Sequence, residues 1–120
     1  MYKDWQAMAA DLTGDIRALR AGAPEVMKGF SALAQAALKA DALDTKTKEL
    51  IALAIAVATR CDGCIAFHAE AAVKQGATRA EVLETMGMAV YMGAGPSAMY
   101  AAQALEAFDQ FSAKSAPRAA

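Results

Sequence analysis

Apolar residues recur at steps of three and four along most of the chain, the spacing that places them on one face of an α-helix. The first such stripe consists of Trp5, Met8, Leu12, Ile16 and Leu19. No long alternating run of β-branched residues occurs, so the pattern predicts an all-α fold. We expect helices at about 3–19, 24–39, 45–59, 62–75, 79–92 and 96–111.

Residues that favour helix ends stand between these segments. A proline suits the first turn of a helix because its missing N–H would have no partner there. Thr78 and Glu81 have the spacing of a capping box, which predicts a helix start. The other signals are Pro24 and Pro96 at helix starts, Asp44 or Thr45 as an N-cap, Gly76 as a stop, and Gly93-Ala94-Gly95 as a corner.

The third and sixth helices carry more apolar residues than one face requires. Every residue of 50–58 is apolar, and a helix of that kind is buried on all sides, so we place it at the centre of the fold. The sixth helix has one apolar face with Ala101 and Phe108 and another with Ala107 and Phe111, which predicts contact with a second subunit. In the second helix the expected core residues are Val26, Phe30, Leu33 and Leu38.

Length and composition limit the remaining choices. A chain of 120 residues should form one domain, here 1–120 with a core at about 43–111 and a frayed tail at 112–120. The net charge is −1 and no basic stripe occurs, which argues against a nucleic-acid partner. The longest apolar run has nine residues, too few to cross a bilayer, and the first residues do not resemble a signal peptide. We therefore expect a cytoplasmic protein with no membrane partner.

The rarest side chains of the sequence stand together. Its two cysteines and its single histidine are Cys61, Cys64 and His68. A cysteine attacks as its thiolate, and the first turn of a helix, where Cys64 should lie, favours that anion. His68 is four residues further on, hence on the same helical face and within reach of Cys64. Cys61 can meet Cys64 across Asp62-Gly63 as a disulfide, so that one thiol attacks and the other resolves.

Other uses of this cluster stay open from the residues alone. Two cysteines and a histidine can bind zinc, although a closed structural site needs a fourth ligand. Covalent haem attachment requires a histidine directly after the second cysteine, where Ile65 stands. That histidine is absent, so haem attachment is not expected. A purely structural role for both cysteines is the remaining alternative, because buried free cysteine is common.

Glu49 precedes Cys61 by twelve residues and borders the apolar run 50–58. A glutamate in the first turn of a helix is usually solvated and favoured by the helix dipole, and taken alone that interpretation is preferred here. Its place beside the apolar run nevertheless predicts partial burial. Because burial favours the protonated form of a carboxylate, such a group can exchange protons near neutrality.

Three segments of the sequence together form a specific pattern. They are 46–54, which contains Lys46-Thr47-Lys48-Glu49-Leu50, then Cys61 to His68, then Met92-Gly93-Ala94-Gly95-Pro96. With these segments, the region 43–111 resembles the alkylhydroperoxidase D-like branch of the carboxymuconolactone decarboxylase family. The combination E-x11-C-x2-C-x3-H carries the resemblance, whereas a lone CxxC would not.

The resemblance implies an all-α fold with an active site where the central helix meets the CxxC helix. It implies that the thiol of Cys64 attacks a peroxide oxygen, that Cys61 resolves the sulfenic acid as a disulfide, and that Glu49 and His68 relay protons. It also implies a trimer or hexamer, and a dithiol or lipoyl-type protein as reductant. Decarboxylase members lack the cysteine pair, so that activity is not expected.

The expected function is therefore a thiol-dependent hydroperoxide reductase with no cofactor and no metal. One departure from the family pattern concerns the residue before the second cysteine, which is a histidine in the best-known peroxidase and Gly63 here. A general disulfide reductase or redox relay with weak peroxidase activity is the first alternative. A non-catalytic subunit that senses redox state or metal is the second.

Overall fold

The computed structural model describes residues 1–115, which form an all-α fold, as the sequence pattern predicts; no strand occurs in this range. The helices are α1 Trp5–Gly22, α2 Pro24–Leu38, α3 Thr45–Ala58, α4 Asp62–Lys74 and α5 Arg79–Ser115. None of them is long and apolar enough to cross a membrane.

Several of the helix-end signals predicted from the sequence are confirmed. The Asp44 carboxylate caps α3 by accepting from the Thr47 N–H at 2.7 Å. At the start of α5 the Thr78 N–H donates to the Glu81 carboxylate at 2.8 Å, and the Glu81 N–H donates to the Thr78 hydroxyl at 3.1 Å. This reciprocal pair is the predicted capping box. Gly76 has a φ of 80° after the end of α4 and so acts as the expected stop.

The expected fifth and sixth helices form one element, α5, which is interrupted at a single residue. Ala94 has φ 55° and ψ −140°, and helical geometry continues on both sides of it, with Pro96 inside the element. The predicted corner is therefore the kink at Ala94, where the expected fifth and sixth helices meet within the single element α5. The helix also continues to Ser115, beyond the expected end at 111, and residues 116–120 of the expected tail lie outside the described residues.

The core lies among α3, α4 and α5, with the side chain of Trp5 completing it from α1. Leu53 and Val57 of α3 are fully buried, as a central helix requires. Burial on every face was nevertheless wrong, because Ile51 and Ile55 are 44% and 57% exposed. The α3 helix packs mainly against α4 and α5, and within residues 1–115 the face that carries these two isoleucines is only partly covered.

Three of the four core residues expected on α2 were also wrong, whereas the fourth, Leu38, is partly buried. Val26, Phe30 and Leu33 are all more than half exposed, and Met27 is the buried residue of this helix. The α2 helix lies at the periphery, where it packs against α1 and, more sparsely, against α3. Periodicity identifies an apolar face but not whether the same chain covers it.

The two apolar faces at the C-terminal end of α5 are both buried within the chain, which corrects the prediction of a subunit contact there. Ala107 and Phe111 belong to the core cluster, as does Phe108 on the other face. The start of α1 lies against this part of α5: the backbone N–H of Trp5 donates to the Gln110 side chain at 2.9 Å. The second apolar face of α5 therefore contributes to the packing of α1 against α5.

Candidate redox site

Cys61 and Cys64 form a disulfide at the start of α4, with their Cα atoms 5.2 Å apart. Cys61 is the N-cap residue of the helix, and its sulfur accepts a hydrogen bond from the Cys64 N–H at 3.2 Å. Cys64 lies in the first turn, as expected. The N–H groups of a helix start favour an anion, so in the reduced protein this arrangement stabilises a thiolate on the capping sulfur.

The corner between α3 and α4 determines where Cys61 lies. The Arg60 N–H donates to the Val57 carbonyl at 3.2 Å, and the Cys61 N–H donates to the Ala56 carbonyl at 3.0 Å. This is the hydrogen-bond pattern of a Schellman motif, with Arg60 in the left-handed position at φ 58°. Cys61 therefore closes α3 with its backbone and opens α4 with its side chain.

Glu49 and His68 are in direct contact across the interface of α3 and α4. Nδ1 of His68 lies 3.1 Å from Oε1 of Glu49. Glu49 is only 4% exposed and lies in the second turn of α3, so the interpretation of Glu49 as a solvated first-turn residue was wrong and the burial exceeds the partial burial expected. When Nδ1 donates to the carboxylate, Nε2 of a neutral imidazole is left as an acceptor.

The four expected site residues form one continuous series. The sulfurs of Cys61 and Cys64 are bonded, Cys64 and His68 are one helical turn apart on the same face of α4, and His68 contacts Glu49. Both cysteines and His68 are partly exposed, whereas Glu49 is buried. A proton can therefore pass between a protected carboxylate and an accessible imidazole next to the disulfide.

His68 also lines a groove of about 350 Å³ between α2 and α3. Lys48 is the other polar residue of this groove. The remaining lining is aliphatic, contributed by Ala34, Ala37, Leu38, Ile51, Ala52 and Ile55. A small apolar molecule with one polar end fits this composition.

An ion pair that the sequence did not indicate lies beside the disulfide. Nζ of Lys3 is 2.7 Å from Oδ2 of Asp62, the residue directly after Cys61. The hydrogen bond and charge of Asp62 raise the pKa of Lys3 despite partial burial. The same ammonium lies 5.6 Å from the centre of the Tyr100 ring. No sequence signal selects Lys3, because a lysine near the start of a chain is ordinarily solvated.

Comparisons with known proteins agree with this geometry. The model of the carboxymuconolactone decarboxylase family matches residues 24–107. This chain belongs to the carboxymuconolactone decarboxylase family. A family member from Legionella pneumophila, solved in its apo form, superposes with a TM-score of 0.88 at 60% identity, over 90% of this chain and 96% of that one.

Two further relatives of this chain are described only as uncharacterized proteins. One from Cupriavidus necator is 36% identical over 94% of this chain and over its own full length. One from Haemophilus influenzae is 42% identical over 90% of this chain and 96% of its own. The family assignment rests on the family-model match and on the Legionella pneumophila structure, with which the alkylhydroperoxidase D-like branch is consistent.

Gly63 is covered by α1 in this family member. A Cβ built at this position would lie 2.9 Å from Cδ1 of Leu12. Any larger side chain between the two cysteines, such as the histidine of the best-known peroxidase, therefore requires Leu12 to move. Glycine here allows α1 to approach the redox turn closely.

The alternative of a metal site can be compared with the geometry. Within residues 1–115 no group of three or more His, Cys, Asp and Glu side chains is placed to hold a metal ion. In the disulfide state both sulfurs are bonded to each other, and neither is a thiolate ligand. The arrangement present is a disulfide-bonded cysteine pair with a contact between His68 and Glu49 one helical turn away.

Proposed function

We propose that this family member is a thiol-dependent hydroperoxide reductase, an antioxidant peroxidase that cycles through the Cys61–Cys64 disulfide. The observation that carries the proposal is the contact between His68 and the buried Glu49, one helical turn from the disulfide. A redox pair alone would suit many thiol proteins. A proton relay at this distance from the sulfur suits a reaction in which an oxygen leaving group must be protonated.

In the first step the thiolate of Cys64 attacks the terminal oxygen of the hydroperoxide. The O–O bond breaks, its electron pair stays with the alkoxide, and Cys64 becomes a sulfenic acid. Nε2 of His68 takes up the proton of the Cys64 thiol and delivers it to the alkoxide, which leaves as an alcohol. While the ring holds this extra proton, the 3.1 Å contact lets Glu49 take up the Nδ1 proton and return it. The assignment of Cys64 as the attacking thiol rests on its position one turn before His68.

In the second step Cys61 acts as the resolving thiol. Its thiolate attacks the sulfur of Cys64, the S–S bond forms, and the hydroxyl leaves as water after it takes up a proton. The hydrogen bond from the Cys64 N–H to the Cys61 sulfur supports thiolate character in that resolving group. A dithiol or a lipoyl-type reductant protein then supplies two electrons and two protons, which restores both thiols.

The groove beside His68 supports an organic rather than a purely inorganic peroxide. Its aliphatic lining can bury a hydrocarbon chain while the peroxide group lies toward His68. Burial of each methylene contributes about 0.8 kcal/mol, so even a short chain affects binding.

A general disulfide reductase is the second candidate, and Gly63 is the observation that favours it. The turn between the cysteines lacks the histidine of the best-known peroxidase, and Leu12 covers that place. Such a protein would reduce insulin disulfides rapidly and consume hydroperoxide slowly. The two activities, measured on one preparation, distinguish the candidates.

We also propose a cytoplasmic homo-oligomer, a trimer or a hexamer. The support is an uncovered apolar surface, which we call the α2–α3 surface, made of Val26, Phe30, Leu33, Ile51 and Ile55. Exposed apolar residues on this scale usually mark an interaction site. Ile55 also lines a second cavity, of about 390 Å³, with Met88 and Met92 of α5, so this surface continues onto α5.

The experiment that tests the proposed function is hydroperoxide consumption with dithiothreitol as reductant. Cumene hydroperoxide provides an apolar substrate and hydrogen peroxide a polar comparison. The proposal expects consumption that disappears in Cys64→Ser, with cumene hydroperoxide the better substrate. Equal rates in wild type and Cys64→Ser would contradict it.

A further inference from the structure

Arg60 has a backbone conformation that is unusual for its residue type, and it lies directly before Cys61. Its φ of 58° falls in the left-handed region. This position follows the C-cap of α3, where glycine is the common residue, because a side chain there raises the energy by about 1 kcal/mol or more. Glycine would adopt this backbone conformation at a lower free energy, so the presence of arginine here calls for an explanation in its side chain.

The guanidinium joins the end of α3 to α5. Nη1 of Arg60 donates to the carbonyl of Val57 at 2.6 Å and to that of Ala58 at 3.0 Å. It also donates to the hydroxyl of Ser97 on α5 at 3.2 Å. The last carbonyls of a helix have no partner within the helix, and a cation at that end opposes the helix dipole.

The α5 helix is shaped to receive this contact. Ser97 is 1% exposed and lies so close to Gly93 that a Cβ at position 93 would be 1.9 Å from its hydroxyl oxygen. Ala94, the break in the helix, lies between the two. One turn beyond Ser97, the ring centre of Tyr100 is 5.6 Å from the guanidinium carbon of Arg60. A guanidinium can donate in its plane and stack on its face at once, which an ammonium cannot.

We propose that Arg60 is a positioning residue for the redox pair. By holding the α3–α4 corner against Ser97 and Tyr100, it keeps Cys61 where its sulfur can reach Cys64. A fixed corner raises the effective concentration of one thiol at the other and therefore favours the disulfide. The inference deepens the proposed function, but it depends only on the thiol–disulfide couple and not on any reaction with a hydroperoxide.

The test is the equilibrium between the Cys61–Cys64 disulfide and dithiothreitol. Two thiols of dithiothreitol pass two electrons and two protons to the protein disulfide, and the reagent closes to its own cyclic disulfide. The reduced fraction is read by alkylation and mass spectrometry. We expect Arg60→Lys, which keeps the charge but not the planar donors, to shift this equilibrium toward the dithiol by about tenfold.

Arg60→Asn is the companion variant, because asparagine tolerates a left-handed backbone but lacks the guanidinium. It should shift the equilibrium in the same direction as Arg60→Lys. Arg79→Gln is the matched control. It removes another α5-bound arginine, whose Nε lies 3.0 Å from Asp109 on the exposed surface, and should change the equilibrium by less than about twofold.

Ser97→Ala keeps Arg60 and removes one anchor, so the test survives if the arginine variants do not fold. It should shift the equilibrium toward the dithiol by a smaller factor than Arg60→Lys. A wild-type equilibrium constant in folded Arg60→Lys or Ser97→Ala would overturn the inference. If the wild-type protein has no peroxidase activity but the variants still shift the disulfide equilibrium as expected, the proposed function alone would be overturned.

Discussion

His68 reaches from α4 to Glu49 on α3, with Nδ1 3.1 Å from Oε1, and connects a buried carboxylate to the partly exposed side of the redox pair. The two residues are nineteen positions apart and meet only because α3 and α4 pack side by side. Under the proposed function, this contact is the route by which His68 and Glu49 exchange a proton.

His68→Ala should lower the rate of hydroperoxide reduction by about 10²–10⁴-fold, the range typical for loss of a general acid–base group. The variant also leaves the buried carboxyl of Glu49 without this contact, so we expect a loss of about 1–3 kcal/mol in the free energy of unfolding, with the fold retained. Stopped-flow consumption of cumene hydroperoxide by the reduced protein measures the rate. An unchanged rate constant in a folded variant would exclude the relay.

Glu49→Gln should also slow the reaction, because glutamine keeps the size of the side chain but cannot transfer the proton to His68. Glu70→Gln is the control on α4, where the carboxylate belongs to an ion pair with Lys74 at 3.7 Å. We expect Glu70→Gln to react at the wild-type rate in the same stopped-flow measurement. If both variants slow the reaction equally, the effect of Glu49 is not specific.

Gly93→Ala should destabilise the protein by about 1–3 kcal/mol, as overpacking does, because the new methyl would overlap the side chain of Ser97. Gly87→Ala is its counterpart in the same helix. Position 87 has no neighbour within 4 Å, so alanine there should stabilise the protein by about 0.5–1 kcal/mol through its helix propensity. Urea unfolding measures both, and equal effects would show that the contact of Gly93 with Ser97 is unimportant.

Acid should weaken the contact between the start of the chain and α5 through Glu106. Burial opposes ionisation of this carboxyl, but hydrogen bonds from the Trp5 indole and from the N–H groups of Tyr2 and Lys3 outweigh it and lower its pKa. A lowered pKa contributes stability above the ordinary value of about 4.5, and that stability is lost as the pH falls below it.

Glu106→Gln should therefore reduce the free energy of unfolding at pH 7 by about 1 kcal/mol, the usual size for a hydrogen bond. The difference from wild type should shrink as the pH falls below 4.5 and the wild-type carboxyl takes up its proton. Urea unfolding as a function of pH measures it, with the exposed Glu84→Gln as control. A difference that is independent of pH would contradict this account of Glu106.

Phe30→Glu should weaken self-association, since Phe30 belongs to the α2–α3 surface and is 61% exposed. Light scattering after size-exclusion chromatography gives the mass, and we expect a trimer or hexamer for wild type and smaller species for the variant. Gln35→Glu adds the same charge on the exposed part of α2 and should leave the mass unchanged. A monomeric wild type would refute the proposed oligomer.

Local signals in the sequence predicted the helices and their caps, because caps act within one turn. The capping box of Thr78 and Glu81 and the stop at Gly76 needed no knowledge of the fold. The spacing of Cys61, Cys64 and His68 along one helix likewise fixed their relative positions. The apolar run beside Glu49 indicated that this residue is at least partly buried. The extent of its burial could not be predicted, because it depends on the packing of α4.

Contacts between distant positions could not be predicted in this way. Arg60 meets Ser97 thirty-seven residues later, and Lys3 meets Asp62 fifty-nine residues later. Nothing in the local sequence distinguishes these side chains from ordinary solvated cations. The apolar faces of α2 and α5 were recognised but assigned to the wrong neighbours, since periodicity does not identify the surface that a face contacts.

The most direct test of the central claim is a single turnover without added reductant. Fully reduced protein receives one equivalent of cumene hydroperoxide and is alkylated and weighed by mass spectrometry. The account predicts rapid formation of one Cys61–Cys64 disulfide with release of one equivalent of cumyl alcohol, a trapped sulfenic acid at Cys64 in Cys61→Ser, and no reaction in Cys64→Ser. Reduced wild-type protein that keeps both thiols free while the hydroperoxide persists would contradict it.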